Sequence, residues 1–255
     1  ELAGAPLNKT KGHLMLVVGF TADGDVVTLD PAGPSKAAAR RVYKRQEFHR
    51  AWRVNKRGLA YLIGPLVGRK MSVGAPVADL KSVPRLRRKL DLDDPNHLSQ
   101  LLYGEIVTVN ELRGDWVRIS AEEQLAMVGG DWRGYPGWMR ADALHFSLPP
   151  EPNTVVRTRQ ALVQRGSEML AFSVGTRLAR IAEAKGVSTV LLTDGGLGEL
   201  PSDALSVPPT AATDESRSQI IKTAELFLGT SYYWGGRSGV QPEISVGVDC
   251  SGLVH

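Results

Sequence analysis

The sequence predicts a mainly β, multidomain chain, and three observations carry that expectation. Short stretches mixing apolar and polar residues recur from residue 14 to residue 207. Proline-rich breaks fall at 148–153 and 208–210, and one long amphipathic helical stretch covers 214–228. Strand-length patterns bounded by turn residues argue for β structure, and proline breaks mark where one unit gives way to the next.

Taken in order, Leu14 to Val18 is wholly apolar and is followed by Asp23-Gly24 and the β-rich Val26 to Leu29, which reads as a buried hairpin. Residues 46–52 suit a helical piece, and 58–74 a glycine-containing connector. Residues 75–146 alternate in short stretches, such as 105–110 and 116–119, and suggest a small β-barrel. After the linker, Val155, Val156, Ala161 to Val163 and 187–192 repeat the theme in a second small barrel. Beyond Pro208 and Pro209, residues 214–228 place Ile220, Ile221, Ala224, Phe227 and Leu228 on one stripe, and Gly229 stops the helix. The boundaries expected are 1–74, 75–147, a linker at 148–153, 154–207 and 208–255.

Composition excludes several classes. The formal charge of +4 comes from scattered Lys and Arg, densest from Arg85 to Lys89. No aromatic-studded basic motif accompanies that stretch, so it reads as a solvated face rather than a nucleic-acid surface. No apolar run reaches membrane-spanning length. Cys250 has no second cysteine to pair with, which directs attention to its reactivity. The chain opens on Glu1 with no basic-then-apolar leader and closes inside an expected helix, so both ends read as cut from something longer.

The most informative letters are Gly229-Thr230-Ser231-Tyr232-Tyr233-Trp234-Gly235-Gly236-Arg237 and then Asp249-Cys250-Ser251-Gly252-Leu253-Val254. In this order, after an amphipathic helix, they resemble the opening of the NlpC-type family of papain-like cell-wall peptidases. The stretch 237–248 is longer than is usual there, which suggests an inserted loop beside the site. The chemistry can be argued without the family. A thiol attacks only as thiolate, and a helix start favours negative charge through its unpaired N–H groups. Small neighbours, Ser251 and Gly252, let a carbonyl approach, and backbone N–H groups nearby can hold an oxyanion. The resemblance further implies that the Tyr232 hydroxyl lies near the nucleophile. A base is also required. His255, five residues beyond Cys250 on the same expected helix, reads as an ordinary helical residue. The resemblance implies a histidine and a third polar residue on strands that follow the cysteine helix, beyond the end of this chain.

At the other end, Gly12-His13-Leu14-Met15-Leu16-Val17-Val18-Gly19-Phe20, then Asp30-Pro31-Ala32 and Val42-Tyr43 to Trp52, resembles the closing half of double-glycine leader peptidase-like (C39-like) domains. That resemblance implies His13 as general base with Asp30 orienting it, a pairing that fixes the imidazole tautomer. A tight two-residue turn at Asp23-Gly24 would pair Asp30 with Val17. A looser turn centred nearer Ala22 is therefore needed.

In the middle, Leu102-Tyr103-Gly104-Glu105, Gly114-Asp115-Trp116-Val117 and Gly134-Tyr135-Pro136-Gly137-Trp138 resemble the bacterial SH3-like domain that precedes the catalytic domain in γ-D-glutamyl-L-diamino-acid endopeptidases. By that resemblance Glu105 and Tyr135 meet the ammonium and flank the alanine of a muropeptide stem, aided by Asp249 and Ser251. A carboxylate suits an ammonium held out of water.

Together the resemblances imply part of a papain-like α+β domain, two SH3-like β-barrels and the opening helices of a second papain-like α+β domain. The implied function is cysteine-dependent hydrolysis of the γ-D-glutamyl to diamino-acid bond of peptidoglycan stem peptides, with no metal or organic cofactor and an extracytoplasmic setting. Residues 1–255 alone are expected to be inactive. Two alternatives stand beside this reading: a non-catalytic wall-binding pair of barrels, and a circularly permuted peptidase that joins His13 and Asp30 to Cys250.

Overall fold

The computed structural model describes residues 5–6, 13–56, 65–86, 94–240 and 247–254. It divides into two compact units, Glu1–Gly64 and Pro65–His255. Residues 87–89 of the basic stretch, 241–246 of the lengthened loop, and His255 lie outside the described residues.

In the first unit, β1 (Leu16–Phe20), β2 (Val26–Leu29) and β3 (Arg40–Tyr43) form an antiparallel sheet in that order. The central strand is the buried one, through Val26, Val27 and Thr28. The edge strand β1 is exposed at Leu16, Val17, Val18 and Phe20, which corrects the buried hairpin expected from its apolar run. An all-apolar pentapeptide signals strand but not which side is covered, and here β1 has a single strand neighbour. The turn is the looser one: Thr21 N bonds Asp25 O (2.9 Å) and Gly24 N bonds Thr21 O (2.9 Å), which centres it on Ala22 and Asp23. A register shift between Val17 and Gly19 adds a residue to β1, so Leu16 faces Leu29. Two helices, α1 (Lys36–Ala39) and α2 (Arg45–Lys56), flank β3, and α2 contains the helical piece read at 46–52.

The second unit holds two antiparallel sheets of seven strands each. The first comprises β4 (Lys70–Val73), β5 (Val77–Lys81), β6 (His97–Leu102), β7 (Ile106–Arg113), β8 (Trp116–Val128), β9 (Asp131–Arg140) and β10 (Leu144–His145), in the order β10-β4-β7-β8-β9-β5-β6. Strand β4 lies in the stretch read from sequence as connector. The second comprises β11 (Thr154–Val156), β12 (Gln160–Arg165), β13 (Glu168–Ser173), β14 (Arg177–Ala184), β15 (Val187–Leu191), β16 (Leu197–Pro201) and β17 (Leu205–Ser206), in the order β13-β12-β16-β15-β14-β11-β17. The order of each runs from one edge strand to another among the described residues, so the molecule has open sheets rather than closed barrels. Alternation explains their cores. Val107 and Val109 on β7 and Val117 and Ile119 on β8 point inward at every second position, into a cluster with Leu80, Leu101 and Met139. The second cluster gathers Val163, Phe172, Val190 and Leu200.

Tyr103, just past β6, joins the two sheets. Its ring belongs to the second core and stacks on Phe172, with centroids 4.4 Å apart. Its buried hydroxyl accepts from Thr193 N (2.7 Å) and Thr193 Oγ1 (3.1 Å). Ion pairing of Arg177 with Glu123 and a bond from Ser147 to Thr193 reinforce the joint.

Helix α3 (Asp214–Glu225) starts with a reciprocal cap between Thr213 and Ser216. It stops three residues short of the expected end, where Leu226, Phe227 and Leu228 each bond three residues back and Gly229 takes a φ of +76°. Ile220, Ile221 and Leu228 are exposed, so the apolar stripe is not packed away among the described residues. Helix α4 (Cys250–Val254) begins on the cysteine. No helix among the described residues is long and apolar enough to cross a membrane.

Candidate active site

Cys250 is exposed at the first position of α4. Asp249 before it caps the helix: Oδ1 accepts from Gly252 N (2.6 Å) and Ser251 Oγ (2.7 Å), and Oδ2 accepts from Gly235 N (2.8 Å). Burial alone would raise the Asp249 carboxyl, but the bonds from Gly252, Ser251 and Gly235 outweigh it and hold it below its ordinary value. Tyr232 lies beside Cys250, and its phenol pKa is raised, first by lost hydration and then by the neighbouring Cys250 and Asp249. An arrangement with a thiol, a phenol beside it and a capped helix start suits nucleophilic attack.

The Gly235-Gly236 turn is the seat of this helix. Asp249 N bonds Gly236 O (3.0 Å), and a Cβ at Gly252 would collide with that same carbonyl, so only glycine lets α4 approach. Gly235 has a φ of +72°, and a Cβ there would lie 2.9 Å from the Leu98 carbonyl carbon of β6.

The segment 233–238 lies along β6. The ring of His97 is buried, stacks on Tyr233 at 4.8 Å and shares a hydrogen bond through Nδ1 with Trp234 O (2.8 Å). Burial, followed by the charges of Asp79 and Asp94, pushes the Tyr233 phenol upward. Gln100 Oε1 accepts from Arg237 N (3.0 Å) and Ser238 N (3.2 Å). Arg237 Nη1 donates to Gln100 O (2.8 Å) and to Glu105 Oε1 (2.8 Å) and Oε2 (3.1 Å), the two side chains being 9% exposed each.

The residues singled out from sequence are therefore distributed as follows. Tyr232, Asp249 and Ser251 gather at Cys250. Glu105, expected to face an incoming ammonium, is buried and ion-paired with Arg237, with Gln124 Nε2 also on Oε2 (3.3 Å). Tyr135 stands on β9 opposite Ala121 and packs half-buried against the first core. His13 and Asp30 meet in the first unit, with Nε2 2.7 Å from Oδ1. Asp30 is fully buried, and Oδ1 also accepts from Ala32 N (2.9 Å), while Oδ2 has no hydrogen-bond partner among the described residues. The Nε2 contact leaves Nδ1 as the imidazole nitrogen facing elsewhere. Sequence reasoning passed over His97, Gln100 and Gln124, whose polar side chains sit in strand patterns that ordinarily signal a wet face.

Residues 2–59 match the Peptidase_C39 like family. A Gamma-D-glutamyl-L-lysine dipeptidyl-peptidase of Bacillus subtilis is 34% identical over 161 residues, 62% of this chain and 51% of that protein. One of the same name from Bacillus cereus is 32% identical over 186 residues, 67% of this chain and 52% of that protein. A solved NlpC/P60 family protein of Bacillus cereus superposes with a TM-score of 0.60 at 27% identity, covering 73% of this chain and 70% of the other. The chain is a relative of the NlpC-type peptidases. It spans about half the length of the curated relatives it matches. An NlpC/P60 endopeptidase of Photobacterium damselae shares the fold at 15% identity, with a TM-score of 0.51 over 86% of this chain and 48% of that one.

Proposed function

We propose that the protein containing this chain is an extracytoplasmic cysteine peptidase of peptidoglycan. In this reading it cleaves the bond between γ-D-glutamate and the diamino acid of stem peptides, with Cys250 as nucleophile. The observation that carries it is the Cys250 cluster: an exposed thiol heading α4, with Asp249 capping the helix and Tyr232 beside the thiol. The thiolate attacks the amide carbon, the C–N bond breaks as the base that took the thiol proton returns it to the leaving amine, and water then releases the acyl group and restores the thiol. In the first unit His13 and Asp30 are read as base and orienting group of a C39-like half.

The two seven-stranded sheets are read as SH3-like modules, the first running from 65 to 147 because β4 belongs to its sheet, the second from 154 to 207, with a linker at 148–153 and the Cys250 segment at 208–255. In support, each sheet ends alike, with a short 3₁₀ turn, Ala141–Ala143 or Ser202–Ala204, before its last strand. The names of the Bacillus relatives favour a substrate with a free amino terminus, received by Glu105, Tyr135, Asp249 and Ser251. Counting lone pairs keeps this feasible. A carboxylate accepts at about four sites. Among the described residues three contacts reach Glu105, which leaves it a site for one more donor.

The test uses the whole-length protein. Cys250→Ser should fold and lose hydrolysis of L-Ala-γ-D-Glu-diamino-acid peptides, because a serine hydroxyl is far harder to ionise. Acetylating the substrate's amino group should weaken turnover of the wild type. Undiminished turnover by Cys250→Ser overturns the assignment.

A further inference from the structure

We infer that Arg237 is a positioning residue for Cys250, acting by locking the Gly235-Gly236 turn onto the first seven-stranded sheet. The inference rests on reading Cys250 as the nucleophile and goes beyond it, because it assigns the placement of that thiol to side chains far away in sequence.

The route is short and continuous. At its base, β6 offers Gln100, whose carbonyl and side-chain oxygens both face the segment after the turn. Arg237 fills that site twice over, with its backbone N–H on Gln100 Oε1 and its guanidinium on Gln100 O and both oxygens of Glu105. The guanidinium Nε is buried without a hydrogen-bond partner among the described residues, so the carboxylate of Glu105 is what keeps this cation tolerable. Next in the route is the turn itself. Gly236 adjoins Arg237, its carbonyl accepts from Asp249 N (3.0 Å), and Gly235 N donates to Asp249 Oδ2 (2.8 Å). The last step is the α4 cap, which Asp249 makes immediately before Cys250. His97 and Tyr233 hold the other side of the turn by stacking and by the bond to Trp234 O. Each link is a directional bond or a close approach, so release of Arg237 frees the turn that both fixes Asp249 and limits the approach of Gly252.

The lone cysteine makes the test direct, since any alkylation of this chain reports on Cys250 alone. The second-order rate of alkylation by iodoacetamide, followed across pH, is compared for wild type, Arg237→Met, Arg237→Lys and Gln100→Met, with circular dichroism verifying the fold. Arg237→Met should change the rate by about fivefold or more and displace its pH profile, since alkylation follows the thiolate fraction and access of the cysteine, both set by where α4 starts. Arg237→Lys, which returns a cation to Glu105 without the planar fork, should fall between Arg237→Met and wild type. Arg140→Ala removes a guanidinium paired with Asp115 and Asp142 and should leave the rate unchanged. If Arg237→Met does not fold, Gln100→Met decides by the same criterion, because it removes the Oε1 acceptor and keeps the ion pair. A folded Arg237→Met, or in its place Gln100→Met, that alkylates at the wild-type rate with the wild-type pH profile overturns the inference, and so does an equal effect from Arg140→Ala. Because no hydrolysis is measured, the outcome stands apart from that of the peptidase assignment.

Discussion

Replacing Glu105 by glutamine should destabilise the second unit by about 2–4 kcal/mol, a figure that follows from what the carboxylate holds. It accepts two bonds from Arg237 and one from Gln124, and both members of the ion pair are 9% exposed. Removing one partner of a buried pair typically costs ~3–5 kcal/mol, because the other charge stays behind uncompensated. Glutamine retains one carbonyl oxygen for the guanidinium, which lowers the expectation to the stated range. Arg237→Met should cost a similar amount, since it strands the carboxylate and takes one of the donors from Gln100 O. The double variant is the informative one. With both charges gone, the loss should fall short of the sum of the singles by about 1.5–3 kcal/mol, the scale of a hydrogen-bonded charge pair. Urea unfolding followed by tryptophan fluorescence gives each value from the midpoint shift at constant slope. Additive losses within ~0.5 kcal/mol would mean that the two charges do not depend on each other. The pair would then be geometry without energetic consequence.

Two further outcomes are expected. Tyr103→Phe takes the acceptor from the buried Thr193 N–H and should cost about 1–3 kcal/mol, which lowers Tm by roughly 2–4 °C per kcal/mol in a unit of this size; an unchanged Tm in a heating scan would refute the hydroxyl's role. Burial alone would raise the Asp79 carboxyl, but His97, Lys81 and Gln100 together pull it well below the usual carboxylate range. A folded-state pKa below the unfolded value of about 3.9 means stability that is complete above roughly pH 5 and lost as pH falls toward the folded pKa. Asp79→Asn should therefore be less stable than wild type at pH 7 and lose less on acidification, and parallel stability curves from pH 6 to pH 3 would contradict this.

The legible parts of the molecule were those where local chemistry decides the outcome. Gly229 announced the end of its helix, and Asp249-Cys250 marks a helix start from its own letters, whereas the close approaches that demand glycine at 235 and 252 show only in the fold. The looser turn at Ala22 was legible because two residues distant in sequence had to meet. Burial was less so. Residues 97–100, His-Leu-Ser-Gln, carry polar letters at three of four positions, with nothing in the sequence to single them out, yet His97, Ser99 and Gln100 are buried. Periodicity reports a polar side and is silent on whether water or protein occupies it. Glu105 was read as a carboxylate facing a substrate ammonium, and nothing in the sequence pointed to the cation already beside it, Arg237, 132 residues onward. Conversely, the apolar run of β1 announced burial that the sheet does not supply. An edge strand and a central strand can carry the same letters.

The covering of β6 by residues 233–238 has an evolutionary corollary. Wall-targeting modules are often imagined as interchangeable cassettes strung beside a catalytic body. Here a swap of the first sheet would remove the floor on which the Gly235-Gly236 turn rests, unless the incoming module brought its own counterparts of His97, Gln100 and Glu105 in matching register. Recombination at this junction is therefore constrained to exchange sheet and turn together, as one heritable block.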